Sequence, residues 1–258
     1  MGKMKVLILV LLITILLSVP GYLKFGDVEG ETIPSAAPSD DNTDPVGPIF
    51  GRPYNGATHY VGGTGSFTNI QDAVDAASDG DKVVVNPGTY SEAVDVQVEI
   101  WISGLTGARL TNPGGINIGL ELSANNVTVS GMNITDFYIG ILAPGTSGHN
   151  ISGCSFWGNG IHFSYNLVDS SRTDDIMDHG IVIRNNFFGH SSGYHLSFMQ
   201  KIVFSGPSMY NVTRGDIIIE GNTMVDSGSA TIFVFELSYS SIKGGGTFNI
   251  GDIRLIDN

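Results

Sequence analysis

The feature that most constrains the fold is a repeat in the second half of the chain. Six short segments superpose, namely IWISGL, VTVSGMNI, HNISGCSF, IVIRNNFF, IIIEGNTM and IRLIDN. Each has a central aliphatic residue, the anchor, and the anchors are Ile102, Val129, Ile151, Ile183, Ile219 and Leu255. Successive anchors are 27, 22, 32, 36 and 36 residues apart. Such spacings are typical of a solenoid whose coils carry loops of different length.

A second regularity sits two positions after each anchor. These corner positions are occupied by Gly104, Gly131, Gly153, Asn185, Gly221 and Asp257. Glycine, asparagine and aspartate enter the left-handed backbone region at low cost, so the pattern predicts the same turn at one corner of every coil. The anchors alternate with polar or exposed neighbours and are expected to face the core. His149 shares the inward phase, which favours a buried histidine over a catalytic one.

Ahead of the repeat, residues 59–104 indicate a short strand, a helix and then closely spaced strands. Thr68 and Gln71 have the spacing of a capping box, and Gly80 suits a helix C-terminus. The apolar face of this helix comprises Ile70, Ala73, Val74 and Ala77. We expect the helix to cover the open end of the first coil, where strand edges need protection.

The leader IQDAVDAASDGDKVVVNPGTYSEAVDV resembles that of right-handed parallel β-helix proteins. This superfamily contains pectate lyases, pectin methylesterases, polygalacturonases and many surface proteins without known activity. The resemblance implies an all-β fold, a single-stranded right-handed parallel β-helix with an N-terminal capping α-helix, over residues 50–258. It specifies the fold much more closely than any activity.

The N-terminal residues predict export. Lys3 and Lys5 precede an uncharged apolar run that ends near Leu23, so residues 1–24 form either a cleaved signal peptide or an uncleaved membrane anchor. Residues 25–49 are acidic and rich in proline, which is typical of a disordered linker. The protein is therefore expected to be secreted or held at the cell surface, with the membrane as a partner through the N-terminal segment.

Charge and cysteine content exclude several classes of function. The formal net charge is -13 with only 12 lysines and arginines, which argues against nucleic acid as a partner. Cys154 is the single cysteine, so an intramolecular disulfide framework is excluded, and we expect Cys154 to act as a small buried hydrophobic residue.

The later coils exceed the shortest one and carry extra residues at 162–179, 189–215 and 225–251. In solenoids, loops that project from neighbouring coils on one side form binding surfaces. Candidate substrate-binding residues in or beside these segments are Tyr165, Tyr194, His195, Tyr210 and Arg184, the last as a partner for a uronate carboxylate. The alternative is that the aromatic residues fill a wider core.

The strongest catalytic candidate is the segment DDIMDHG. Asp174, Asp175 and Asp178 beside His179 could supply the acid and base of an inverting glycoside hydrolase. The segment resembles the DD and GHG elements of polygalacturonases, but here the two elements are three residues apart instead of one coil apart. No cofactor or metal is expected, with weak Ca²⁺ binding by the adjacent aspartates as the alternative.

The other enzyme hypotheses rest on fewer residues. The segment GTYSE at 88–92 resembles a leader element of pectin methylesterases, but the segments that carry their catalytic aspartates are absent. A polysaccharide lyase needs a basic residue near a calcium-carboxylate cluster, and the sequence does not single one out.

Glycosylation sequons occur at Asn126, Asn133, Asn150 and Asn211, and we expect modification at Asn126, Asn150 and Asn211. The chain ends as a further coil begins, so we also expect either additional sequence or a partner that covers the C-terminal coil. Three functions remain. The preferred one is a non-catalytic surface module that binds polysaccharide or cell-envelope glycan. The others are a polysaccharide-degrading enzyme and a structural spacer of a surface layer.

Overall fold

The computed structural model describes residues 54–172, 176–204, 212–236, 248–250 and 252–258. Within these ranges, the side chains of residues 167–172, 176–178, 200–204, 212, 214, 233–236 and 248–250 are not described. The predicted signal or anchor and the predicted linker both lie outside the described residues.

The described residues form a right-handed parallel β-helix, as the sequence predicts. Every described strand pairs in parallel with a strand of a neighbouring coil, and each complete coil adds one strand to each of three long sheets. We call these sheets I, II and III, in the order in which the chain visits them. Sheet IV is a shorter sheet that appears between sheets III and I in the later coils.

The strand bounds follow from this arrangement. Sheet I contains β1 (Thr58–Val61), β2 (Lys82–Val85), β5 (Trp101–Gly104), β8 (Thr128–Ser130), β11 (His149–Ser152), β15 (Ile181–Arg184), β19 (Ile217–Glu220) and β23 (Ile253–Ile256). Sheet II contains β3 (Gly88–Ser91), β6 (Ala108–Thr111), β9 (Asn133–Thr135), β12 (Ser155–Trp157), β16 (Phe187–Ser191) and β20 (Thr223–Ser227). Sheet III contains β4 (Val94–Val96), β7 (Ile118–Leu122), β10 (Ile139–Ala143), β13 (Ile161–Arg172), β17 (Leu196–Phe204) and β21 (Ile232–Glu236), and sheet IV contains β14 (Ile176–Asp178), β18 (Val212–Arg214) and β22 (Phe248–Ile250).

The register of sheet I confirms the anchor repeat. Each anchor is the direct partner of the next one, from Ile102 opposite Val129 through to Ile219 opposite Leu255. The anchors Ile102 to Ile219 are buried in one continuous apolar core. Val182, which the alternation places on the outward row, is nevertheless buried. Its outward neighbours Asn150 and Ile218 are themselves only partly exposed.

The predicted corner turn is present at five of the six positions. Gly131, Gly153, Asn185, Gly221 and Asp257 all have positive φ angles, between 47° and 66°. Gly104 is the exception, because its coil makes a wider turn that places the positive φ at Gly107 instead. Glycine is still required at 104, since a Cβ there would lie 2.6 Å from Met132 Sδ and 2.8 Å from the Gly131 carbonyl oxygen.

A ladder of asparagines follows this corner on the inside. Asn186 Oδ1 accepts from the Cys154 N–H at 2.9 Å, and its Nδ2 donates to the Ile151 carbonyl at 2.9 Å. Asn222 repeats both bonds one coil later, to the Asn186 N–H at 3.0 Å and the Ile183 carbonyl at 2.9 Å. These side chains accept from N–H groups just after the turn and donate to a strand carbonyl of the preceding coil, so the ladder ties neighbouring coils together.

Helix α1 (Ile70–Asp75) covers the first coil and packs against β1, β2 and β4. Ile70, Ala73 and Val74 are buried, as predicted. The predicted capping box is wrong, because the N-cap is Asn69, whose Oδ1 accepts from the Asp72 N–H at 2.8 Å. The remaining free amides are satisfied by Glu92, which accepts from Ile70 N–H at 2.8 Å and from Gln71 N–H at 3.0 Å.

The extra residues of the later coils are partly regular structure. They extend β13 and β17 beyond the length of the earlier sheet III strands and add sheet IV. β13 and β17 stay paired over most of this extension, with one irregularity between Asp169 and Arg172. The described parts of these segments are therefore strands of the solenoid wall.

Candidate functional site

The predicted catalytic segment is only partly described. Asp174 and Asp175 lie outside the described residues, and Asp178 is known only as the last backbone position of β14. His179 is exposed, and its backbone N–H donates to Ser147 Oγ at 2.9 Å. A catalytic role for this segment stays a prediction.

The sequence-predicted substrate-binding residues mostly point inward. Tyr165 is 1% exposed, His195 1% and Arg184 6%. Tyr165 stands in register with Ala143 and Phe198, which are buried core residues, because β13 continues the inward phase of sheet III. A sugar ring cannot stack on a side chain enclosed in this way. Those three assignments are corrected, Tyr194 is partly exposed, and Tyr210 lies outside the described residues.

Behind sheet II, the core contains two stacked histidines. The rings of His162 and His195 are 5.0 Å apart and nearly parallel, and Phe156 and Phe188 flank His162 at 5.8 and 5.9 Å. Asn159 fixes the state of His162, because its Oδ1 accepts from the Phe137 N–H at 3.0 Å.

The amide nitrogen of Asn159 must therefore be the donor on the other side. It donates to the Ile134 carbonyl at 2.9 Å and faces His162 Nδ1 at 3.0 Å. His162 Nδ1 is thus an acceptor and the ring is neutral, with its proton on Nε2. Burial, followed by the proximity of His195, lowers the pKa of His162 to about 3. Burial also lowers the pKa of His195.

The other two singled-out core residues behave as the sequence predicts. His149 is fully buried, its Nε2 lies 3.1 Å from Thr146 Oγ1, and burial lowers its pKa to about 4. Cys154 is buried, and burial raises the pKa of its thiol to about 12. Neither group has the access or the charge state that catalysis at neutral pH needs.

The outward side of β12 and β16 in sheet II carries an aromatic shelf, formed by Trp157, Phe187 and His190. The rings of Trp157 and Phe187 are 6.3 Å apart with an interplanar angle of 6°, and His190 lies 5.9 Å from Trp157 at 26°. All three are partly exposed, whereas Phe156 and Phe188 on the inward phase are buried. The shelf is therefore a partly exposed row of nearly parallel rings, held in place by paired strands.

Gly189 makes this geometry possible. It is the direct partner of Trp157 in the register of sheet II, and it is buried beneath the shelf. A Cβ at Gly189 would lie 2.5 Å from two atoms of the indole, Cε3 and Cζ3, and 2.7 Å from Phe187 Cε1. The tryptophan ring can occupy the space over Gly189 only because this position has no side chain.

Hydrogen-bonded polar pairs flank the shelf at both ends. His190 Nδ1 is 2.6 Å from Asp226 Oδ2 on the next coil. On the other side, Arg109 Nη2 lies 3.3 Å from Asp136 Oδ2 and donates to Thr135 Oγ1 at 3.0 Å. The shelf thus combines an apolar face with hydrogen-bonding groups at its rim, which is the composition of many binding sites for polar ligands.

Sequence reasoning missed the shelf because it searched the long segments for aromatic residues. Trp157 and Phe187 lie instead just after the corner, in the short strands of sheet II. A usable signal was present, since the alternation that buries Phe156 and Phe188 places their neighbours Trp157 and Phe187 outside.

The sequons differ in their surroundings. Asn126 Nδ2, the atom to which a glycan would attach, donates to Glu99 Oε1 at 2.6 Å. Asn150 Oδ1 is buried, Asn133 begins β9, and Asn211 lies outside the described residues. Glycosylation stays a prediction, with Asn126 available only if its bond to Glu99 breaks.

Neither a metal-binding cluster nor a membrane-spanning helix occurs among the described residues. Within those ranges, no group of three or more histidine, cysteine, aspartate or glutamate side chains could hold a metal ion. The same part of the chain has no helix that is long and apolar enough to span a bilayer.

Comparison with known proteins adds a distant structural similarity. No protein-family model matches the chain, and no curated protein matches it in sequence. Two solved structures of the pectin methylesterase from Aspergillus niger, in different states of deglycosylation, are similar in structure. One has 13% identity and a TM-score of 0.34, covering 72% of this chain and 90% of that one. The other has 14% identity and a TM-score of 0.36, covering 71% and 85%.

Proposed function

We propose that this protein is an exported, non-catalytic β-helix module that binds polysaccharide or cell-envelope glycan through the aromatic shelf. The observation that carries the proposal is the Trp157 ring, which lies over Gly189 on the outside of sheet II, parallel to within 6° to the Phe187 ring and partly exposed. The C–H face of a pyranose ring packs on such a surface, and its hydroxyl groups can reach the charged pairs at the rim.

The site needs no rearrangement to bind. Each residue of the shelf lies on or beside a strand paired on both sides, so its position is set by the sheet. A rigid surface loses little conformational entropy on binding, which favours recognition of a flexible polymer.

The test is affinity electrophoresis of the full chain through gels that contain individual polysaccharides. Trp157→Ala is expected to weaken binding about tenfold or more, because it removes about 1–2 kcal/mol of stacking. The matched control is Tyr60→Ala, which removes another aromatic residue that is 50% exposed, but on sheet I. Equal retardation of the two variants on every binding polysaccharide would refute the shelf as the site.

The enzyme hypothesis is tested on the same samples by reducing-end release, with calcium and with chelator. Release that is abolished by Asp178→Asn or His179→Asn would establish hydrolysis at the predicted segment. Release that survives both changes would place catalysis elsewhere. Absence of both binding and release would favour a structural spacer.

A further inference from the structure

We infer that the aromatic shelf recognises a neutral glycan chain that runs along the solenoid axis, across the strands of sheet II. This inference rests on the proposed function and adds the orientation of the ligand and its charge class. It follows from the register of sheet II and from the charges that border the shelf.

The orientation follows from which strands supply the site. Trp157 is on β12, Phe187 and His190 are on β16, and the flanking pairs reach back to Arg109 on β6 and forward to Asp226 on β20. In a parallel sheet with strands about 4.8 Å apart, four steps from β6 to β20 span about 19 Å along the axis. In the perpendicular direction, a single strand such as β12 is three residues long and offers only about 10 Å along its length.

The spacing also suits a polymer of sugars. A pyranose unit in an extended chain is about as long as one step between coils, so consecutive units can meet equivalent positions on consecutive strands. A ligand laid along one strand would touch Trp157 and then leave sheet II at the corners. The site is therefore longest in the axial direction.

The charge class follows from the pairing of the rim groups. Among the described outward positions of sheet II strands, Arg109 is the one permanent cation, and it is already engaged by Asp136 and Thr135. His190 is likewise engaged by Asp226. Arg184, the sequence-predicted partner of a uronate, is buried on sheet I.

The protein as a whole repels polyanions. Its formal net charge is -13, and the two carboxylates beside the shelf, Asp136 and Asp226, are 52% and 68% exposed. A polyuronate would bring further negative charge to this surface without finding a free cation there, whereas an uncharged chain meets no such penalty.

Calorimetric titration of the full chain with two matched length series tests the inference. Neutral cello-, xylo- and manno-oligosaccharides, from disaccharide to octasaccharide, are compared with oligogalacturonates of the same lengths. We expect binding by a neutral series, with affinity rising at least about tenfold from disaccharide to hexasaccharide and little change with added salt.

Variants at the end of the site distinguish a glycan that runs along the solenoid axis from one that lies along a single strand. Arg109 lies two strands from Trp157. The variant Arg109→Ala is therefore expected to weaken hexasaccharide binding about fivefold while leaving disaccharide binding unchanged. Arg254→Ala is the matched control, because Arg254 forms a similar exposed ion pair with Asp216 at 2.7 Å on sheet I. Gly189→Ala should weaken binding at every length, since it displaces the Trp157 ring.

The outcomes distinguish the inference from the proposed function. Affinity that stops rising at the disaccharide, with no effect of Arg109→Ala, would overturn the axial orientation. Preferential, salt-sensitive and Trp157-dependent binding of oligogalacturonates would overturn the neutral class while upholding the shelf as a glycan site. Binding of neither series, or binding that Trp157→Ala leaves unchanged, would overturn both.

Discussion

Acidification is expected to destabilise this β-helix through histidines that the fold keeps neutral. His162 and His149 are fully buried, and burial lowers their pKa values to about 3 and about 4. In the unfolded chain both return to about 6.5. Because the folded pKa is the lower one, the unfolded state binds more protons below pH 6.5. The stability is therefore complete above about pH 6.5 and is lost as the pH falls towards 3 or 4.

The size of the loss follows from this window. At about pH 4.5, two units below the unfolded pKa, each histidine reduces the free energy of unfolding by roughly 2–3 kcal/mol. The two together account for about 5 kcal/mol, which is comparable to the whole stability of many domains. His195 adds to the effect in the same direction.

The local geometry supports the same sign for His162. Its Nδ1 faces the Asn159 amide nitrogen, which is a donor. Protonation of Nδ1 would therefore place an N–H of His162 directly against an N–H of Asn159, with no acceptor between them. The ionisable groups that act on the pair are His190, which further lowers the pKa of His162, and Asp226, which raises that of His195. Neither reverses the effect of burial.

Urea denaturation followed by circular dichroism, at about pH 7.5 and about pH 4.5, measures the effect. His162→Gln is expected to be less stable than the parent at neutral pH but to lose roughly 2–3 kcal/mol less on acidification. The control is His179→Gln, which changes an exposed histidine. If the parent and His162→Gln lose the same free energy between the two pH values, His162 does not remain neutral in the fold and the reasoning fails.

Three further predictions concern stability and reactivity. Asn186→Ala removes one step of the asparagine ladder, because the buried Cys154 N–H loses its side-chain acceptor and the Ile151 carbonyl loses one donor. Urea denaturation should therefore show a loss of about 1–3 kcal/mol. A loss within about 0.5 kcal/mol would contradict the role given to the ladder. The buried thiol of Cys154 should react with a disulfide reagent at neutral pH only after unfolding, and rapid labelling of the native protein would show that the coil opens locally. Glu92→Gln should lower stability by about 1 kcal/mol, because a neutral amide caps the N-terminus of α1 less well than a carboxylate that accepts from two amides. An unchanged unfolding midpoint for Glu92→Gln would show that the charge of this contact is unimportant.

The sequence by itself determined the coil pattern of this protein. Anchors such as Ile102, Val129 and Ile151 repeat with the same turn residue two positions later, and a parallel solenoid has only one register that aligns both features. Strand alternation placed His149 on the inward side correctly. The helical period likewise placed Ile70, Ala73 and Val74 on the buried face of α1, whereas Ala77 lies beyond the helix and is only partly buried. These are local or periodic signals that any chain of this kind carries in its residue order.

Only the tertiary structure decided where partly exposed aromatic rings lie together. Tyr165 and His195 are in the segments where loops were expected, but β13 and β17 remain in sheet III and bury them. The shelf, in contrast, depends on Gly189 standing beneath Trp157 although the two residues are 32 positions apart in the chain. Contacts between coils are set by loop lengths as well as by the repeat. Residue order alone therefore predicts which way a side chain points, and the paired sheet decides what it meets there.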